Sequence, residues 1–125
     1  MTILAPPSPR VAINAFNRIA DRWELSPDQR ALLLGRSGRT AYRWKGGATS
    51  EGRPLQRDIL ERISLLIGIY EDIRKFFGAG PAADGWIRRP NADFGGEPPL
   101  SRLLAGNVED IVEVRRYLGA ARQGW

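Results

Sequence analysis

The longest periodic stretch of the chain, Leu55 to Phe77, is the strongest constraint on its fold. Ile59, Ile63, Leu66, Tyr70, Ile73 and Phe77 recur every three or four residues, the repeat of one face of an α-helix. Leu60, Ile67 and Phe76 widen that stripe. A face this broad does not stay in water, because each exposed Leu or Ile forgoes about 1.5–3 kcal/mol of burial. The spacing predicts one long helix packed on both neighbours, with a width that could also serve a dimer seam. Gly78-Ala79-Gly80-Pro81 breaks the chain after it.

Shorter helices flank this one. Residues 1–9 hold three prolines and read as a loose tail. Ser8-Pro9 resembles a helix start, a capping hydroxyl followed by proline in the first turn. Ala12, Phe16, Ile19, Ala20 and Trp23 then keep helical spacing. Ser26-Pro27-Asp28-Gln29 is a stronger start, with Gln29 able to reach back as a capping box. That second helix runs to about Leu34 and stops at Gly35. Ser37 can cap a third, Gly38 to about Lys45, ended by Gly46-Gly47, with a polar loop to Pro54. Further on, Gly85 to Arg89 reads as a single helical turn and Pro90 to Pro99 as loop. Leu100 to Ala105 reads as a short helix, and a final helix capped by Asn107 and Asp110 reaches about Leu118. Ile111, Val114 and Leu118 would face inward. Gly119 fits a left-handed cap, which leaves Ala120 to Trp125 as a tail. No alternating strand pattern and no internal repeat is present, so the fold class is all-α.

A chain of 125 residues can build one core without disulfides. It has no Cys and no His, which removes zinc fingers, thiol redox sites, Cys or His nucleophiles and any Ser-His-Asp triad. No apolar run approaches the roughly 20 residues of a membrane span. No signal-peptide pattern opens the chain, so the expected location is the cytoplasm. Met1 to Arg57 carries ten Lys/Arg against four Asp/Glu, and Asp58 to Trp125 nine against ten. A basic front half and a near-neutral back half suit a polyanion partner for the front. The preponderance of Arg over Lys carries no functional weight, because coding bias explains it equally well.

The second and third helices have the spacing of a helix-turn-helix. Ala31 is small, Gly35 follows four residues later, and Ser37, Ala41 and Trp44 come after. The small residue lets the helices approach, and the Gly supplies a positive φ in the turn. Ala41 and Trp44 would face inward with Leu34. Ser37, Gly38, Arg39, Tyr42 and Arg43 are then offered outward, and the N-terminal residues of a second helix are those that reach base edges in the major groove. Arg39 and Arg43 could read guanine or bind phosphate. Lys45, Thr49, Arg53 and Arg57 are candidates for backbone contacts. Arg36 stands where many such turns carry an apolar plug, with a stem that can cover apolar surface while its head stays in water. An αα-hairpin with a solvated basic face is the plainer alternative.

The segment Gly85-Trp86-Ile87-Arg88-Arg89-Pro90-Asn91-Ala92-Asp93-Phe94-Gly95-Gly96-Glu97-Pro98-Pro99-Leu100 is the most distinctive run in the chain. A Trp is followed by Pro-Asn, an apolar residue, Gly-Gly and Pro-Leu, then Leu103-Leu104, Gly106 and a closing helix with Gly119. This pattern resembles the toxin-binding domain of the Xre/MbcA/ParS antitoxin family. The run Leu33 to Trp44 is similar to the Xre-type helix-turn-helix of that family, so the resemblance covers roughly Ile13 to Trp125.

The resemblance implies a non-enzymatic antitoxin of a type II toxin–antitoxin system, with no cofactor and no metal. Its partner would be a RES-domain toxin that consumes or transfers parts of NAD. It also implies that the C-terminal end blocks the toxin's active-site cleft, which points to Arg115, Arg116, Ala120, Arg122, Gln123, Gly124 and Trp125. Promoter DNA is a partner of some members through the helix-turn-helix, here Ser37, Gly38, Arg39, Tyr42, Arg43 and Lys45. The architecture implied is a helix-turn-helix bundle over 10–54, a connecting helix and linker over 55–80 and a small helical toxin-binding domain over 81–125. A homodimer is expected, because helix-turn-helix proteins commonly read two half-sites.

The residue chemistry agrees with these implications. Trp125 is a large apolar group at the chain end, suited to an interface anchor or to folding back on its own helix. Trp86 reads as a core pin. Pro90, Asn91, Pro99 and Leu100 read as structural, since Pro fixes φ and Asn side chains close turns. Asp93 and Glu97 lie in a Gly-rich loop with no third group to tune them and are expected to be solvated. The competing reading is a transcriptional regulator whose C-terminal domain only dimerises. An enzyme is disfavoured by the lack of His, Cys, ligand cluster or phosphate-cradling Gly motif.

Overall fold

A computed structural model of the chain describes residues 8–35 and 57–122. Among them every regular element is helical. They are α1 (Pro9–Arg22), α2 (Pro27–Leu33), α3 (Arg57–Phe77), α4 (Pro81–Trp86), a 3₁₀ turn (Ala92–Phe94), α5 (Pro99–Leu103) and α6 (Val108–Arg122). The third helix expected from the sequence, Gly38 to Lys45, lies outside the described residues, as do Arg36 and the polar loop to Pro54.

The caps expected at Ser8 and Ser26 are formed. Ser8 Oγ accepts from the Val11 amide at 3.2 Å, with Pro9 opening α1. Ser26 Oγ accepts from the Gln29 amide at 3.2 Å, and Gln29 Oε1 accepts from the Ser26 amide at 2.9 Å. Two donors left over at the helix start are thus satisfied reciprocally. The link from α1 to α2 is tighter than its residues suggest. The Leu25 amide donates to Ala20 O at 2.9 Å and the Glu24 amide to Asp21 O at 3.1 Å, the pair of bonds of a Schellman end. That motif normally uses Gly, yet here Glu24 holds a left-handed φ of 55°.

α3 is the centre of the molecule. α1 packs on one side of it and α6 on another, and the α3–α6 contact is the most extensive between any two helices described. Ile59, Ile63, Leu66, Ile69 and Ile73 of α3 are fully buried. They meet Ile13 and Phe16 of α1, Trp23 just after it, Leu33 of α2, and Ile111, Val114 and Leu118 of α6 in one continuous core. Ile13 and Ile69 are core residues that the apolar spacing, taken alone, left out.

The stripe on α3 departs from expectation in two places. Phe76 and Phe77 are 42% and 44% exposed, although the spacing placed both on the inner face. They stand beyond the last buried position, Ile73, where the helix has run past the elements that cover it. Conversely Asp72, a carboxylate, is 1% exposed. The C-terminal half also differs at its joints. α4 starts at Pro81, ahead of the single turn expected at Gly85 to Arg89. The expected loop from Pro90 to Pro99 contains the 3₁₀ turn. α6 runs through Gly119 to Arg122, so Gly119 is no left-handed cap and Ala120 to Arg122 are helix. Ala120 and Ala121, strong helix formers, carry the helix past the glycine.

Candidate functional site

The Trp86–Leu100 segment folds back into a closed loop. Asn91 Oδ1 accepts from the Asp93 amide at 2.9 Å, and Asn91 O accepts from the amides of Phe94 and Gly96 at 2.9 and 3.0 Å. The Asn91 amide in turn donates to Glu97 O at 3.2 Å, so Asn91 serves as the hub. The Leu100 amide donates to Ile87 O at 2.9 Å, which draws the start of α5 onto the end of α4. Pro99 and Leu100 are buried and Pro90 is exposed. Trp86 is half-buried in an aromatic cluster, edge-on to Phe94 at 6.4 Å and stacked on Tyr117 of α6 at 6.3 Å. Offset and edge-on pairs of this kind add roughly 0.5–1.5 kcal/mol to their burial. Asp93 is exposed, as expected, but engaged: Tyr117 Oη donates to Asp93 Oδ2 at 2.6 Å. Burial, and then the Asp93 carboxylate, push the Tyr117 phenol above its ordinary pKa of 10.0.

The residues assigned to toxin contact divide by environment. Arg115 is turned inward and pairs with the buried carboxylate of Asp72. Its guanidinium crosses α3 directly over Gly68, where a Cβ would stand 2.5 Å from Arg115 Nε. Only glycine leaves that path open. Arg116, the next residue, is exposed, and Ala120 is half-buried. Arg122 ends α6. Gln123, Gly124 and Trp125 lie outside the described residues.

The residues assigned to DNA, Ser37, Gly38, Arg39, Tyr42, Arg43 and Lys45, also lie outside them. The part of the helix-turn-helix that leads into them is described. Ala31 is buried, and Gly35 follows α2 with φ +65°, the positive value the turn requires. A second constraint fixes Gly35: the Arg62 guanidinium lies 2.9 Å from where its Cβ would stand.

Two arginines from α3 and the C-terminal half hold the backbone at the ends of α1 and α2, and sequence reasoning missed both. Arg62 donates from Nη1 to Leu33 O at 3.3 Å and to Gly106 O at 2.9 Å. Arg88 donates to Trp23 O from Nε and Nη2 at 3.0 and 2.7 Å, and to Glu24 O at 2.9 Å. These are charge-assisted bonds to carbonyls near helix ends, where backbone acceptors otherwise go unpaired. No side-chain pattern could have found them, because the acceptors are main-chain atoms. Asp72 left a faint signal, an acid directly before Ile73 on an otherwise apolar face.

A groove of about 910 Å³ opens between α1 and α3. Ile19, Ile67 and Tyr70 give it apolar walls, and Arg18, Arg22, Arg74 and Lys75 outnumber Asp21 and Glu71 at its edges. Asp21 is drawn to Arg30 at 2.7 Å and Arg22 lies 3.7 Å from Asp84. Among the described residues no group of three acidic side chains could hold a metal, and no helix is long and apolar enough to cross a membrane.

Comparison with known proteins gives two matches along the chain. Residues 8–68 match the antitoxin Xre-like helix-turn-helix domain, and residues 74–124 match the antitoxin Xre/MbcA/ParS C-terminal toxin-binding domain. The uncharacterized protein y4oB of Sinorhizobium fredii (strain NBRC 101917 / NGR234) is 45% identical over 113 residues, or 90% of this chain and 84% of y4oB. A helix-turn-helix whose turn glycine has the required φ is followed by a helical domain built around the Trp–Pro-Asn–Gly-Gly–Pro-Leu motif. The chain therefore belongs to the Xre/MbcA/ParS antitoxin family.

Proposed function

We propose that this antitoxin binds a RES-domain, NAD-consuming toxin in the cytoplasm and blocks its active site with the end of α6 and the residues that follow. The observation that carries this reading is the match of residues 74–124 to a toxin-binding domain, with α6 as its last element. Exposed Arg116 and the terminal Arg122-Gln123-Gly124-Trp125 are the contact residues. Arg and Trp are over-represented among residues that dominate binding energy. Arg115 acts through Asp72 by fixing the direction in which α6 points. The protein works by binding, without catalysis and without a cofactor.

The helix-turn-helix half binds the promoter of its own operon as a homodimer, reading bases through Arg39 and Arg43, with Ser37, Gly38, Tyr42 and Lys45 beside them. The basic balance of residues 1–57 supports this part.

Co-expression with a RES-domain toxin tests the first part, using the full chain and a chain ending at Arg122. Rescue of growth and of the NAD pool by the full chain alone is expected. Rescue by both would move the block onto the folded helices. Failure of both, with no complex formed, would leave a regulator whose C-terminal domain only dimerises. For the second part, Arg39→Ala with Arg43→Ala is expected to abolish promoter retardation while toxin rescue persists.

A further inference from the structure

The two ends of α3 face different tasks. Near its start, Arg62 touches Leu33 and Gly35 of the helix-turn-helix and Gly106 ahead of α6. Further along, Arg115 of α6 meets Gly68 and Asp72. The matched positions rise together, so α3 and α6 run in the same direction. Beyond the Asp72–Arg115 pair, α3 has five residues left and α6 has seven, about 8 and 10 Å of helix at 1.5 Å per residue. Phe77 and Arg122 therefore end at the same pole of the molecule. The helix-turn-helix turn lies at the other pole, roughly 20 Å away along α3.

At the shared pole Phe76 and Phe77 stand 42% and 44% exposed, with ring centroids 6.3 Å apart. Two adjacent exposed aromatics are the large apolar groups of this pole. Val11 and Leu32, the other exposed large apolar residues described, belong to α1 and the end of α2. The pair falls inside residues 74–124, the match to the toxin-binding domain. Exposed Lys75 precedes it, and the cationic edge of the α1–α3 groove, Arg18 and Arg74, leads along the helix toward it.

We propose that Phe76 and Phe77 form a second anchor of the toxin interface, distinct from the C-terminal tail, seated in an apolar depression of the toxin with an acidic rim. This rests on the reading that the chain neutralises a toxin. Its physical basis is continuity: the anchor and the root of the tail share one pole, so a single partner surface covers both. Two adjacent exposed aromatics that a partner can bury suit an interface core, where aromatic residues are enriched, and Lys75 beside them fits a carboxylate on the partner.

The test is toxin affinity measured with the full chain, Phe76→Ser/Phe77→Ser, and Val11→Ser as a control at an exposed apolar site on α1. The double variant is expected to bind the toxin about thirty-fold more weakly or worse, with helical content, melting temperature and sedimentation mass unchanged. Val11→Ser is expected to bind like the wild type. Unchanged affinity in the double variant would overturn the proposal. So would a fall in sedimentation mass with unchanged toxin affinity, which would assign the pair to a second copy of this chain. Equal weakening by Val11→Ser would overturn it too, since the effect would not be specific to this pole. No binding by the wild type would overturn the neutralisation reading and this proposal with it, an outcome distinct from the others.

Discussion

The two poles of α3 are built from opposite chemistry on one helix. At the N-terminal pole a guanidinium, Arg62, is inserted among main-chain carbonyls of the α2 end and the α5–α6 link. At the C-terminal pole two phenylalanines are left in water. Between them Ile63, Leu66, Ile69 and Ile73 are fully buried. The difference teaches that hydrophobic periodicity measures helix, not burial. Whether a side chain is covered depends on how far the neighbouring helices extend.

That contrast can be broken experimentally. The largest effect is expected from comparing like with like along α3. Leu66→Ala should cost about 4 kcal/mol in urea unfolding, as truncation of a buried Leu does. Phe76→Ala should cost under about 0.5 kcal/mol, as at other exposed positions. Equal losses would mean that Phe76 is covered in the free protein and the poles are alike.

Next in size is the clamp beneath α6. Arg115→Ala removes an ion-pair partner of a carboxylate that is 1% exposed and should destabilise by about 3 kcal/mol. Gly68→Val should produce much of the same loss, because its side chain displaces the Arg115 guanidinium. Adding it to Arg115→Ala should cost less than its single effect, which a double-mutant cycle measures.

Arg62→Ala, which removes two charge-assisted bonds to carbonyls, should cost about 2 kcal/mol. Arg62→Lys should not restore it, since both bonds leave Nη1 and the shorter lysine chain ends one bond short of that position. Full recovery with Lys would show that charge alone matters at that pole.

The smallest effect belongs to the aromatic cluster. Tyr117→Phe should cost about 1 kcal/mol through the lost bond to Asp93. The sign of its pH dependence is fixed by the raised pKa of the phenol. The folded state holds the proton more tightly than the unfolded chain, so the stabilisation is present below pH 10 and is lost as pH rises through the folded pKa. Phenolate absorbance of wild type against Tyr117→Phe should show one tyrosine titrating late.

Much of the molecule was legible in the residues. The all-α class, the Ser8 and Ser26 caps, the capping box, the turn glycine at 35 and the inward faces of α1, of α3 as far as Ile73 and of α6 all depend on local spacing. The structure reports each of them. The Trp86–Leu100 motif was legible for a different reason. Its closure is made by named side chains, Asn91 above all, so its residue types are visible in the chain.

Less legible were the features whose partners are backbone atoms or distant residues. Arg62 and Arg88 read as ordinary surface cations until the carbonyls they hold are in view. Glu24 gave no sign of a left-handed conformation that a glycine would have announced, because Arg88 bonds from another part of the chain stabilise the turn. Gly119 suggested a stop that the following alanines override. The sequence by itself therefore determined the helices, their inner faces and the family motif, because these follow from short-range sterics and periodic burial. Only the tertiary structure decided that Asp72 is buried with Arg115, that Phe76 and Phe77 are exposed, and that α3 and α6 end at one pole. Those outcomes depend on where helices far apart in the chain begin and end in space.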